Sequence, residues 1–120
     1  MRLFFGVMAA MLLVAGVARA QEISPEARKE ADQVFTTRCS TCHGTDGKGA
    51  GPAGAALTPK PRNFTDKAWQ GTVTDAHIEK VIVEGGMAVG KSPLMIANPD
   101  LKAKPQVVQA LREKVRSFAK

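Results

Sequence analysis

Cys39-Ser40-Thr41-Cys42-His43 is the stretch on which the reading of this 120-residue chain turns. Two thiols stand one helical turn apart, and a histidine follows at once. The sequence on either side differs sharply. Upstream, Ser24-Pro25-Glu26 is a helix start: a hydroxyl cap, Pro at the first helical position, then an acid near the positive end. Ala27, Ala31, Val34 and Phe35 recur at helical spacing, which predicts a helix over 25–38 that delivers the chain into the cysteines. Downstream, Gly44 to Arg62 contains Gly44, Gly47, Gly49, Gly51, Gly54, Pro52, Pro59 and Pro61. Such a run forbids a regular element. A structureless loop of that length needs an explanation, and wrapping around a bound group is one.

Farther out, Thr65 to Gln70 reads as a short helical turn carrying Trp69. Thr74-Asp75 caps a third helix with Ile78, Val81 and Ile82 on one face and Gly85 as its stop. Gly86 to Pro99 is loop again and holds Met87 and Met95. Pro105 opens a last helix with the stripe Val107, Val108, Leu111, Val115 and Phe118. There is no internal repeat, no low-complexity stretch and no alternation of the kind strands show. The expected fold class is all-α, a few short helices joined by long loops.

The N-terminus reads as an address. Met1-Arg2 is a positive start, Leu3 to Val17 is uncharged and apolar, and Ala18-Arg19-Ala20 is an A-x-A pattern. This order predicts a secretory signal over 1–20, cleaved after Ala20, and a single mature domain over 21–120. The competing reading is an uncleaved anchor, but the run is short for a bilayer, which wants about 20 apolar residues. The style of the signal points to the bacterial periplasm, with no membrane span in the mature chain. An apolar fraction of 44% excludes a disordered chain, and the length excludes a barrel enzyme or a two-domain dinucleotide enzyme. With five Phe, one Trp, no Tyr, 11 Gly and 7 Pro, the chain buries limited apolar area. A disulfide, metal or cofactor is expected to complete its core.

The spacing C-x-x-C-H reads as covalent haem attachment. Two thiols one turn apart each add to one vinyl group of a haem, and the histidine then lies under the iron as its proximal ligand. Three other readings compete. A redox disulfide of the thioredoxin kind wants a βαβ setting, which is missing. Zinc wants four ligands, and two Cys with one adjacent His supply three at most. A purely structural disulfide is the third. An exported chain with only these two cysteines and loops in place of core favours haem.

The mature chain resembles the class I c-type cytochromes, the monohaem cytochrome c family. The resemblance rests on Val34-Phe35, Cys39 to Gly44, Gly51-Pro52, Leu57 to Phe64, Trp69, Val83 to Gly86, and a methionine loop ahead of a closing helix. It covers residues 24–118. It implies one haem c packed between the first and last helices and wrapped by the loops. It also implies a methionine sulfur opposite His43. Met95 stands where similar cytochromes place that ligand, although Ile96 follows it where Pro is frequent. Met87, directly after the helix stop, is the competitor, and either Met is otherwise an adaptable core filler. In such cytochromes a proline carbonyl accepts the proximal histidine N–H, and Pro52 fits that role best. Arg62 and Trp69 are candidate donors to the haem propionates, against a solvated Arg and a packed Trp.

His43/Met95 ligation fills both axial positions, which is a carrier's property rather than an enzyme's. The expectation is single-electron transfer between periplasmic redox partners. The alternatives are a haem enzyme or gas sensor with an open distal site, or a haem-bearing subunit of a larger redox complex. The whole chain carries 17 Lys/Arg against 11 Asp/Glu, a formal +6; without Arg2 and Arg19 it is 15 against 11, or +4. Several cations fall late: Lys102, Lys104, Arg112, Lys114, Arg116 and Lys120. They read either as solvated helix faces or as a basic rim that steers docking onto acidic partners. Nucleic-acid binding is not expected, because the chain is exported and its basic residues are not interleaved with aromatics.

Overall fold

The computed structural model describes residues 20–120, so the expected signal lies outside the described residues except for Ala20. Helix α1 spans Pro25–Val34, and the Ser24 hydroxyl accepts from the Ala27 amide at 3.1 Å. The expected stop at Arg38 is not there. A π-helical turn, Phe35–Cys39, leads without a break into α2, Ser40–His43. The Ser40 amide donates five residues back, to the Phe35 carbonyl. Nothing in Thr36 to His43 breaks a helix, and two of its hydroxyls bond back within it: Thr37 Oγ1 donates to the Gln33 carbonyl (2.8 Å) and Ser40 Oγ to that of Thr36 (2.7 Å). The chain leaves at Gly44, whose φ of +80° suits glycine.

Helix α3, Lys67–Thr72, carries Trp69 and is capped by Asp66. Helix α4, Asp75–Glu84, starts at the Thr74 cap and ends at Gly85 (φ +81°). Two 3-10 turns, Gly86–Val89 and Pro99–Ala103, interrupt the methionine loop and its exit. Helix α5, Pro105–Ser117, closes the chain. Among the described residues there is no strand, and the fold is all-α.

The core lies where α1 and α4 pack on α5. Ala27, Ala31 and Val34 come from α1, Ile78 and Ile82 from α4, and Val107, Val108, Ala110, Leu111 and Val115 from α5. Small residues on α1 let it approach α5 closely. Val81, expected on the buried face of α4, is only half-buried. Ion pairs lace both seams: Arg28–Glu113 (2.6 Å), Lys104–Glu30 and Lys114–Asp32 (2.8 Å) between α1 and the C-terminal region, and Asp75 with Arg112 and Arg116 between α4 and α5. Exposed pairs of this kind contribute about 0–1 kcal/mol each. Of the late cations, Lys104, Arg112, Lys114 and Arg116 are paired with carboxylates within the molecule.

Candidate functional site

The π turn changes the phase of the first helix just ahead of the motif. Buried positions run 27, 31, 34 and 35, then 40 and 43, so the helix turns Ser40 and His43 inward in place of a strict 3.6-residue repeat. Cys39 and Cys42 are both free thiols and both half-buried. Burial pushes the Cys39 thiol up to about 11, against the opposing pull of the Arg38 guanidinium. A thiol so raised is no poised thiolate, and a thioredoxin-type redox site needs one.

His43 is buried. Loss of water holds its pKa below the ordinary histidine value, outweighing the hydrogen bond that favours its charged form, so the ring is a neutral imidazole at pH 7. Its Nδ1 lies 3.0 Å from the Arg62 carbonyl. As the donor there, Nδ1 carries the proton and Nε2 is the lone-pair nitrogen, which has no protein partner among the described residues. The Phe64 ring stacks on the imidazole, with centroids 4.3 Å apart and planes 15° from parallel.

The Arg62 carbonyl corrects the role expected of Pro52. Pro52 is exposed, and its neighbours face the backbone of the motif helix. The amides of Gly49, Gly51 and Ala53 donate to the carbonyls of His43 (2.7 Å), Cys42 (3.0 Å) and Thr41 (2.9 Å). The glycine loop is thus the C-terminal cap of the attachment helix, and it satisfies carbonyls that a helix end leaves open. A Cβ at Gly51 would overlap the carbonyls of Ser40 and Thr41, and one at Gly54 that of Cys42. The chain reaches the imidazole only after Pro61.

Arg62 and Trp69 are brought together. The guanidinium sits over the indole, 5.3 Å from the ring centroid, and Trp69 stacks on Phe64 at 5.9 Å. Both line an open cleft of about 370 Å³ with Val73, His77 and Lys91. Met95 is half-buried, whereas Met87 is 72% exposed. The loop around Met95 is tied back to the end of α4. The Gly86 amide donates to the Met95 carbonyl (2.9 Å), the Met95 amide to that of Ser92 (3.2 Å), and the Asn98 amide to that of Val83 (3.0 Å).

Sequence reasoning missed the Arg62 carbonyl, the stacking role of Phe64 and the part played by Gln70. Gln70 Nε2 donates to the carbonyls of Phe64 and Val115, both at 2.9 Å. No signal pointed to the first, because a backbone carbonyl leaves no mark on residue type.

The donor set fits a covalently held haem. Two free, half-buried thiols on one turn suit two thioether links, and a neutral imidazole with a fixed tautomer suits iron. Comparison with curated proteins gives no match. The family model described as cytochrome c matches residues 29–113, from the middle of α1 to the middle of α5. Haem c attached through Cys39 and Cys42 follows from that match and the motif together. The chain belongs to the cytochrome c family.

Proposed function

We propose that this protein is a single-electron carrier of the bacterial periplasm, with His43 and Met95 as the axial ligands of its one haem. Members of the family generally carry electrons through haem; the ligand set and the compartment are our reading. The observation that carries it is the tether of the Met95 loop, Gly86 N to Met95 O at 2.9 Å, which holds a half-buried thioether in place while Met87 faces water. When bound, the haem supplies an iron that changes oxidation state by one electron. The chain's own residues do the rest. Arg62 fixes the proton on Nδ1 of His43, Phe64 sets the plane of its ring, and the glycine loop locks the helix that bears the thiols. Arg62 and Trp69 are the proposed partners of the propionates. With His43 and Met95 both holding the iron, no position on it would be left for a substrate.

For docking, the cations without a carboxylate partner among the described residues are Lys29, Lys48, Lys60, Arg62, Lys67, Lys91, Lys102 and Lys120. Five of these, from Lys48 to Lys91, flank or lie on the two long loops. This supports an acidic partner that meets the loop side, steered by long-range attraction.

Visible spectra of the exported holoprotein, oxidised and dithionite-reduced, test the ligand set when carbon monoxide is added. The reduced spectrum is expected to stay unchanged. Met95→Ala is expected to bind carbon monoxide and Met87→Ala to resist it. A wild-type spectrum that shifts would overturn Met95 ligation and favour a haem enzyme or gas sensor with an open distal site.

A further inference from the structure

We infer that Gln70 and Arg116 form a positioning clamp for His43, through which the last helix sets the electron affinity of the iron. The inference rests on His43 as the iron ligand. Two groups hold the imidazole, the Arg62 carbonyl at 3.0 Å and the Phe64 ring at 4.3 Å, and both belong to one short shelf, residues 62–64. The shelf has no helix or strand of its own. The shelf is anchored at Phe64, whose amide donates to the Gly47 carbonyl (2.7 Å), whose carbonyl accepts from Gln70 Nε2 (2.9 Å), and whose ring packs on Trp69 and Phe118.

Gln70 in turn is not free to move. Its Nε2 also donates to the Val115 carbonyl of α5, its Oε1 accepts from the Arg116 guanidinium (2.9 Å), and its own carbonyl accepts from the same Nη1 (2.6 Å). The remaining nitrogens of Arg116 reach the Val73 carbonyl (2.7 Å) and Asp75 (2.9 Å). A planar guanidinium with five donors suits such a hub, and a lysine would not reproduce the fork. The hydrogen-bonded path from α5 to the iron ligand is therefore Arg116, Gln70, the Phe64 carbonyl, then the shelf, beside the ring contact of Phe64 with Phe118.

The consequence follows from how a ligand's outer hydrogen bond works. A firm Nδ1–H···O=C bond makes the imidazole a better donor, which favours the oxidised iron. Loosening the shelf weakens that bond, so the reduced form gains and the midpoint potential rises.

Gln70→Met keeps the reach of the side chain and loses the amide that bonds Phe64, Val115 and Arg116, without adding a charge. Gln70→Leu loses the reach as well. Redox titration of each holoprotein is expected to show the reduced form gaining about threefold, about 28 mV at about 59 mV per tenfold for one electron. Arg116→Lys is expected to fall between these variants and the wild type. Val108→Ala supplies the comparison: it thins the α1–α5 core without touching the shelf, so it is expected to lower stability and leave the potential alone. Potentials that stay put in both Gln70 variants while stability falls would overturn the inference and leave Gln70 a mere brace. An equal shift in Val108→Ala would overturn it too, and so would a fall in potential, the mark of water entering the site. His43→Ala keeps the two readings apart. If that variant leaves the spectrum unchanged, the ligand assignment itself has failed, whatever the Gln70 variants show.

Discussion

The helical frame and the two long loops are built on opposite terms. In α1, α4 and α5 the interior is side chains: Ala31, Ile78, Leu111 and their neighbours exclude water, and ion pairs seal the seams. In the loops the interior is backbone. Between residues 44 and 63 every buried residue is a glycine, and from 85 to 98 the buried residues are Gly85 and Gly86. The large apolar side chains of the second loop, Met87, Leu94 and Ile96, face outward. One half of the molecule is thus stabilised by burial and the other by amide-to-carbonyl hydrogen bonds onto the motif helix and onto α4. The lesson is a division of labour. The frame carries stability, and the loops carry the chemistry with little core of their own.

The largest test of this contrast removes the cofactor's attachment. Cys39→Ala with Cys42→Ala is expected to yield no covalent haem and no cooperative thermal transition by circular dichroism. Fourteen buried apolar residues are a small core for the described residues, 20–120. A variant that kept a sharp transition without haem would break the comparison, because the frame would then stand alone.

A paired substitution sharpens it. Leu111→Ala empties a fully buried site in the frame. It is expected to cost about 2–5 kcal/mol in denaturant titration and to leave the reduction potential unchanged. Gly54→Ala drives a methyl group into the Cys42 carbonyl and is expected to cost about 1–3 kcal/mol. Because the displaced backbone bears a haem-linked cysteine, the potential is expected to move as well. Stability and potential that moved together at both sites would mean the two regions are not separable.

The frame was the legible half. Ser24, Thr74, Gly85 and Pro105 mark helix ends by their own chemistry, and the stripe from Val107 to Val115 marks the buried face of α5. The motif was equally plain, since two thiols and a histidine at that spacing suit few purposes. What escaped notice travels through backbone atoms or across long separations. The continuation of the helix through Cys39 runs by backbone bonds that reach five residues back, such as Ser40 to Phe35. The carbonyl on His43 comes from Arg62, nineteen positions away, where family likeness favoured Pro52. The late cations gave no sign of being taken up, because their carboxylates lie on α1 and α4, far off in sequence. Gln70 and Arg116 looked like ordinary polar residues of helix surfaces.

The smallest expected effect isolates the α4–α5 seam. Hydrogen bonds from Arg116 and Arg112 hold the Asp75 carboxyl below its ordinary value. A depressed carboxylate adds stability that is complete above the unfolded-state pKa, about 3.9, and is lost as pH falls from there through the folded-state value. Asp75 is half exposed, so solvent screening limits the gain to about 0.5 kcal/mol near pH 7. Asp75→Asn is therefore expected to be slightly less stable than the wild type at pH 7. The two are expected to converge as the pH drops below about 4, where the wild-type carboxyl takes up its proton. Denaturant midpoints across that range check the sign. Arg116 keeps its bonds to Gln70 and Val73 in this variant, so the reduction potential is expected to stay where it is. A potential that followed Asp75 would mean the clamp extends through the carboxylate into α4, and the boundary between frame and site would move one residue outward.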